Sequence, residues 1–300
     1  MRIPAHRSAV GGAALAVALL TAVTGCSSGS DDGDSGSELL KGLGTLAGDT
    51  DTKYVTFLDA TEVRRLSHGD AERFTSISRP ASPLLNPYQP GLLGEQFKED
   101  QIDTAVDTPE AGYWEGSFDV SAITKSLTSS GYTRGENDSQ EVWTHPDKKG
   151  SLHISEDKIS HSTRNSDPRA VVDPAEGSSL ADRKEFRRAA DCLGDVYRAD
   201  FDPPSSTDPV RLSALGQQAE SASKNTEVLC FVIKDEATAR KLETKLRTVV
   251  RDERPKFNGT KVTVEKGEQP VVRAVVPDTA AQRPGRLLVS DMELWMAAAT

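Results

Sequence analysis

The chain has 300 residues, of which 36 are Lys or Arg and 46 are Asp or Glu, so its formal net charge at pH 7 is −10. An acidic surface repels phosphate backbones and anionic lipid headgroups, which disfavours nucleic-acid binding and electrostatic docking to a membrane. Apolar residues make up 36% of the chain, which is enough for a hydrophobic core, and the length allows one large domain or two small ones.

Residues 1–25 have the pattern of an export signal. Two arginines and a histidine form a cationic start, and the apolar run 9–23 that follows is too short to span a bilayer comfortably. The run leads into Val23-Thr24-Gly25-Cys26, which resembles the lipobox of bacterial lipoproteins. In a lipobox, the thiol of the cysteine carries a diacylglyceryl group. We therefore expect a lipoprotein signal peptide at 1–25 and lipid attachment at Cys26. The alternative is an ordinary secretory signal with a chance thiol near its cleavage site.

The residues behind this segment, 26–52, are rich in Ser, Gly and Asp and cannot bury enough apolar surface to order themselves. We expect a flexible acidic tether with a reach of roughly 25–30 Å. Asp32, Asp34 and Gly36 have part of the spacing of a calcium loop, but the third ligand and the glycine that an EF-hand needs are absent. A solvated linker is the favoured interpretation.

The remaining chain predicts an α+β fold made of strand–helix units with an antiparallel sheet. Three apolar strand patterns each run into an acid that precedes a helical pattern, namely Asp59, Asp119 and Asp235. A carboxylate at that position accepts hydrogen bonds from the first free N–H groups of the helix, and Glu62 would complete a capping box with Asp59. No second carboxylate or histidine recurs at a fixed offset. We therefore interpret the three acids as helix caps rather than as metal ligands or bases.

Residues 75–94 contain four prolines and predict an irregular surface loop, longer than a compact domain normally carries without purpose. Its apolar side chains would either dock on the core or form a recognition patch, and docking is favoured. They are Leu84, Leu85, Tyr88, Leu92 and Leu93.

Residues 141–161 predict three antiparallel strands, joined by a five-residue turn and then a two-residue turn. That register places Val142, Leu152, Ile154, Ile159 and His161 on one face, and Trp143, His145 and His153 on the other. The three histidines then do not converge, so we expect no zinc site, with His145 and His153 at the surface and His161 at a core edge. A register slip would reopen the question.

The segment 165–179 contains two prolines and a glycine and predicts a linker between an N-terminal α+β domain, 53–164, and a C-terminal α+β domain, 180–300. The two halves are of similar size, and the sequence leaves open whether they form one domain. The C-terminal half begins with a helical pattern and ends in an apolar run, 287–296, that fits a strand or a helix.

Two cysteines follow the linker, Cys192 on the helical pattern and Cys230 in an apolar strand. If Cys26 is acylated, these are the two remaining thiols of an exported chain, and we expect them to form a disulfide. A redox or nucleophilic role is the alternative, but there is no Cys-x-x-Cys motif and no histidine nearby in the sequence.

Common catalytic signatures are missing: there is no Gly-x-Ser-x-Gly, His-Glu-x-x-His, Gly-x4-Gly-Lys or Gly-x-Gly-x-x-Gly motif. The sequence leaves open a catalytic triad whose residues are far apart in the chain, because His68 and the three later histidines could supply a base. We interpret Trp114, Trp143 and Trp295 as core or strand-face residues rather than as a ligand site. An enzyme is therefore the less favoured class, and no cofactor is expected.

The order of lipobox, acidic tether, strand–helix modules and late cysteine pair is similar to that of uncharacterised actinobacterial lipoproteins, with Val23 to Cys26 as the specific part. This resemblance implies an acylated protein on the outer face of the cytoplasmic membrane, anchored there through Cys26, and implies no activity. Three functions stay open: a non-catalytic lipoprotein that binds an envelope protein or other envelope component, a carrier of a solute or lipid, and a hydrolase without a recognisable motif.

Overall fold

The computed structural model describes residues 37–48, 54–68, 70–85, 92–137, 140–164, 168, 171–203 and 208–298. All of them belong to the structural unit 36–300. The predictions for the signal segment, for Cys26, for residues 27–36 and for Tyr88 lie outside the described residues. Within the described ranges, no helix has the length and apolar character needed to cross a membrane.

Twelve strands of the described ranges form one antiparallel sheet in the order β11-β12-β10-β9-β8-β1-β2-β3-β7-β6-β5-β4. Strand β8 pairs with β1, so the sheet continues across the segment 165–179 where the sequence predicts a linker. The strands are β1 (Val55–Asp59), β2 (Ile102–Asp107), β3 (Ala111–Gly116), β4 (Thr133–Asn137), β5 (Gln140–His145), β6 (Lys148–Ile154), β7 (Lys158–Ser162), β8 (Arg198–Asp202), β9 (Val210–Ser221), β10 (Lys224–Ile233), β11 (Lys261–Glu265) and β12 (Val271–Pro277).

Helices cover both faces of the sheet. Side chains alternate between the faces of a strand, so Phe57 packs in a core with α1 and α5, whereas Leu58 packs on the opposite face. The opposite face carries two separate apolar clusters, one with α2, α3 and α4 and one with α6 to α9. The helices are α1 (Glu38–Gly44), α2 (Ala60–Leu66), α3 (Ala71–Phe74), α4 (Val120–Ser129), α5 (Lys184–Leu193), α6 (Glu236–Asp252), α7 (Arg254–Phe257), α8 (Arg286–Val289) and α9 (Glu293–Met296).

The predicted α+β fold and the three predicted helix caps are confirmed. The carboxylates of Asp59, Asp119 and Asp235 accept hydrogen bonds from backbone N–H groups three residues ahead, at 2.8, 3.0 and 2.8 Å. The prediction that Glu62 completes a capping box is wrong. Its carboxylate instead forms a bidentate pair with Arg65, one turn further along the helix. The apolar run 287–296 forms two short helices, α8 and α9.

The prediction that 26–52 is a tether is wrong for residues 38–48. Leu39 and Leu43 lie on one face of α1 and are buried, as is Leu46, which pairs with Val172 in an isolated bridge. Burying each of these side chains contributes about 1.5–3 kcal/mol, which offsets the cost of ordering the backbone. The Ser, Gly and Asp composition that predicts a tether ends at Ser37, whose side chain caps α1.

The predicted register of β5 against β6 is wrong by one residue, which places Trp143 opposite Leu152. The cause is the turn: His145 pairs with Lys148, so the connection has two residues rather than five, and an irregularity follows at Thr144 and His145. Trp143 therefore joins the apolar cluster of Leu152, and Val142 takes the other face. The predicted register of β6 against β7 is confirmed.

The apolar side chains of the proline-rich segment dock on the core, which the sequence favours over an exposed recognition patch. Leu93 is buried in the cluster of α2 to α4, and Leu84, Leu85 and Leu92 pack against it. The described parts of the segment, 75–85 and 92–94, are irregular as predicted, with one 3-10 turn at Pro83–Leu85, but Pro80 and Ser82 are buried rather than exposed.

Candidate functional site

A line of buried polar side chains crosses the sheet on the face opposite α1 and α5, between the two apolar clusters of that face. Strand pairing aligns them: Glu227 lies opposite Gln217, Gln217 opposite Arg198, Asp200 opposite Thr56, and Thr56 opposite Asp107. The segment 70–85 contacts this line along part of its length. We call the set the polar seam; it comprises Glu227, Gln217, Arg198, Asp200, Thr56, Asp107 and His161, each at most 7% exposed.

One end of the polar seam brings together a serine, a histidine and an acid. His161 Nε2 lies 3.1 Å from Ser82 Oγ and 3.3 Å from Asp107 Oδ1. Trp114 Nε1 donates to both oxygens of Asp107 at 3.1 Å. A β-carbon on Gly112 would lie 2.3 Å from both Asp107 Oδ1 and His161 Nε2, so the approach of these groups requires glycine on β3.

This cluster has the composition of a hydrolytic triad but a different geometry. In a Ser–His–Asp triad the serine and the acid bind different ring nitrogens, so that the imidazole can accept a proton from one side while the acid orients it from the other. Here both partners lie at His161 Nε2, and Nδ1 has no hydrogen-bond partner among the described residues. His161 and Asp107 are each 1% exposed, so a substrate would not reach them. The prediction of His161 at a core edge is wrong, since it lies inside the core.

The middle of the polar seam holds segment 70–85 in place. Arg198 makes a two-pronged pair with Asp200 at 2.9 Å, and its Nη1 donates to the carbonyls of Ile77 and Arg79 at 3.2 Å. Tyr54 donates its hydroxyl to Asp200 at 2.6 Å, and burial together with the Asp200 charge raises its pKa. Burial opposes the charge of Arg198, but Asp200 outweighs that effect and raises the pKa of Arg198.

The other end of the polar seam is the carboxyl group of Glu227, which is 0% exposed. Gln217 Nε2 donates to it at 2.8 Å, and the backbone N–H of Leu287 approaches it at 3.3 Å. Arg286 Nε lies 4.0 Å away and donates instead to Asp278 at 2.7 Å. Burial, followed by the charge of Asp278, raises the pKa of Glu227 to about 8. The raised pKa favours the protonated form of Glu227, whose carboxyl group links β10 to the start of α8.

The polar seam does not line either of two open cavities found in the described ranges. One, of about 270 Å³, lies beside α1 and is lined by the acids Glu38, Asp59, Glu62 and Asp195. The other, of about 290 Å³, lies at the end of α6 and is lined by three arginines and no acid. No group of three or more His, Cys, Asp or Glu side chains in the described ranges is placed to hold a metal ion.

The predicted disulfide is present. Cys192 and Cys230 are bonded with their Cα atoms 6.2 Å apart, and the bond ties α5 to β10, the third strand from one edge of the sheet. Both residues are buried, at 5% and 0% exposure. A buried bond that joins a helix to the sheet it covers has a structural role.

The structure does not bring the three later histidines together. His145 packs edge-on against Tyr132, and its Nδ1 accepts from the N–H of Asp147 at 3.0 Å. His153 Nδ1 lies 2.8 Å from the carbonyl of Glu141. Trp114 and Trp143 are buried as expected, and Trp295 packs partly against the cluster of α6 to α9.

Sequence reasoning missed the acids of the polar seam. Asp107 and Glu227 each stand next to a valine in a strand, and a charged residue within an apolar strand pattern is the signal that points to a buried polar group. Ser82 has no such signal, because its partner His161 lies 79 residues away.

No protein family model matches the chain, and no curated protein matches it either. Among solved structures, crystal form IV of TP0453 aligns with a TM-score of 0.42 at 11% identity, over 80% of this chain and 92% of that one. Crystal form I of TP0453 aligns with a TM-score of 0.40, also at 11% identity, over 80% and 93%. Likeness at this level establishes no kinship, so no property of TP0453 is carried over to this chain.

Proposed function

We propose that the chain is an exported lipoprotein, anchored through Cys26 to the outer face of the cytoplasmic membrane, which binds an envelope component and catalyses no reaction. The observation that carries the proposal is the Cys192–Cys230 disulfide. Such bonds persist in oxidising compartments and are rare in the cytosol of mesophiles. With these two thiols paired, Cys26 is the one remaining cysteine of the sequence, and it stands behind the lipobox-like run.

The geometry at His161 supports a non-catalytic role. The nucleophile and base of a hydrolase need to converge where a substrate can enter. Ser82 and His161 do converge, but the ring nitrogen that faces Ser82 also faces Asp107, and the cluster lies under segment 70–85. The cluster instead satisfies polar groups that are buried between segment 70–85 and the sheet.

The cavities support non-covalent binding at the surface more than transport of an apolar cargo. A lipid carrier needs an enclosed apolar chamber, whereas the cavity beside α1 and the cavity at the end of α6 are open and each include charged side chains in their lining. Binding of a charged partner or ligand fits such surfaces better.

Anchoring is tested by fractionating actinobacterial cells that produce the full chain or its Cys26→Ser variant, with Ser27→Ala as the matched control. We expect the wild type and S27A in the membrane fraction as acylated chains that begin at Cys26. We expect C26S as an unacylated chain that keeps the signal segment. Acyl-free wild-type protein in the culture medium would show that Cys26 is not an anchor.

A further inference from the structure

The cavity at the end of α6 has the composition of an anion site. Its lining includes Arg247, Arg251 and Arg254, together with Asn258 and Thr260, and Phe257 closes one side. At about 290 Å³ it is close to the lower limit of small-molecule pockets. No carboxylate lines it, which is unusual for a chain of net charge −10.

The surroundings of the cavity are locally positive. Between residues 240 and 256 the sequence has seven basic residues and three acidic ones. Two of those acids pair with arginines of the cavity, Glu243 with Arg247 and Asp252 with Arg251. The two arginine side chains are 61% and 71% exposed, and ion pairs of exposed arginines contribute little, so an incoming anion can compete for the guanidinium groups. The field of this region draws anions to a protein that otherwise repels them.

Of the three arginines that line the cavity, Arg254 is the one whose position no ion pair with another described side chain explains. A basic residue in the last turn of a helix offsets the partial negative charge at its carboxyl end, and Arg251 serves that purpose in α6. Arg254 lies two residues beyond the end of α6, in the four-residue helix α7. Its side chain is exposed, and no acid among the described residues pairs with it. The charge of Arg254 is therefore not neutralised within the described residues and is available to an anion.

A second polar group in the cavity is also without a partner. The hydroxyl oxygen of Thr260 is shielded from solvent and has no hydrogen-bond partner among the described residues. A hydroxyl can donate to an anion that the guanidinium groups attract. Arg247 is held in position because its Nη2 donates to Glu243 at 2.7 Å and to the carbonyl of Val262 at 2.9 Å.

From these observations we infer that the cavity lined by Arg247, Arg251 and Arg254 binds a phosphate-bearing anion. Guanidinium groups present paired N–H donors that match phosphate oxygens, which makes arginine the preferred residue for phosphate recognition. The phosphate could belong to a free phosphate compound or to a lipid headgroup. The inference goes beyond the proposed function, and its failure would leave the anchoring through Cys26 and the non-catalytic account unchanged.

The test is calorimetric titration of the full chain, in uncharged detergent at low salt, with two soluble probes. One probe is inorganic phosphate, and the other is glycerophosphoglycerol, the deacylated headgroup of phosphatidylglycerol. The double variant R251A/R254A removes two cavity arginines, and R240A/K241A removes two exposed charges of the same helix outside the cavity. Thermal unfolding midpoints within a few degrees of the wild type show that both variants are folded.

We expect saturable binding of at least one probe, weakened at least tenfold in R251A/R254A and less than twofold in R240A/K241A. Binding of inorganic phosphate alone would assign the site to a free phosphate compound, and binding of glycerophosphoglycerol would assign it to a lipid headgroup. Absence of saturable binding for both probes would overturn the inference. Equal weakening in the two variants would overturn it as well, because the binding would then reflect net charge rather than the cavity.

Discussion

Replacing Glu227 with glutamine should remove a pH dependence of stability that the wild type carries. Burial, followed by the charge of Asp278, raises the pKa of Glu227 in the folded chain from its ordinary value of 4.5 to about 8. Between these values the folded chain binds one more proton than the unfolded chain. The free energy of unfolding therefore falls as pH rises, by about 1.4 kcal/mol per pH unit from this group. The stabilisation is complete below pH 4.5 and is lost as pH passes through about 8.

The variant E227Q keeps an oxygen that can accept from Gln217 and Leu287 but has no proton to lose. From pH 6 to pH 8 we expect the wild type to lose about 2–3 kcal/mol relative to E227Q. Urea unfolding at pH 6, 7 and 8 measures this difference. The control E220Q changes a carboxylate on the exposed end of β9 and should follow the wild type. Parallel pH profiles for wild type and E227Q would refute the assignment of a protonated, buried Glu227.

Three further predictions concern the polar seam and the disulfide. Gly112→Ala should destabilise the fold by about 1–3 kcal/mol in urea unfolding, because its β-carbon would clash with Asp107 and His161, whereas Gly44→Ala, with nothing within 4 Å, should be close to neutral. Ser82→Ala should lower stability by about 1–2 kcal/mol and leave any esterase activity of the preparation unchanged. Loss of that activity would contradict the interpretation of His161 as a non-catalytic residue. The double variant C192A/C230A opens a loop with a sequence separation of 38 and should cost roughly 4 kcal/mol in the same assay, and an unchanged unfolding midpoint would contradict a structural bond.

The elements that the sequence predicts well are those with local signals. Asp235 followed by a 3.6-residue apolar pattern is sufficient to locate the start of α6, and β11 matches its apolar pattern over Lys261–Glu265. These signals depend on residues within one or two turns of each other. Strand β8 has no such signal, because Arg198 and Asp200 are charged residues that become buried only through their pairing with each other and with segment 70–85.

The candidate site depends on contacts between distant segments, which a single sequence does not specify. His161 meets Asp107 across 54 residues because of the order of β2, β3 and β7 in the sheet. It meets Ser82 across 79 residues because segment 70–85 docks on that face. The error in the β5–β6 register has a local cause, since the two-residue turn at Pro146 and Asp147 lacks the Asn-Gly or Asp-Gly pair that announces such a turn. The arginine cavity carries no motif in the sequence, because it forms only where the end of α6, helix α7 and residues 258–260 come together.

The central claim is that an exported chain is anchored through Cys26 and carries one disulfide, and intact mass spectrometry of the protein from actinobacterial membranes tests it most directly. We predict a chain that begins at Cys26, carries the added mass of its acyl groups, and gains two daltons on reduction as the bond between Cys192 and Cys230 opens. A chain with an unmodified Cys26, or one whose mass does not change on reduction, would contradict the account.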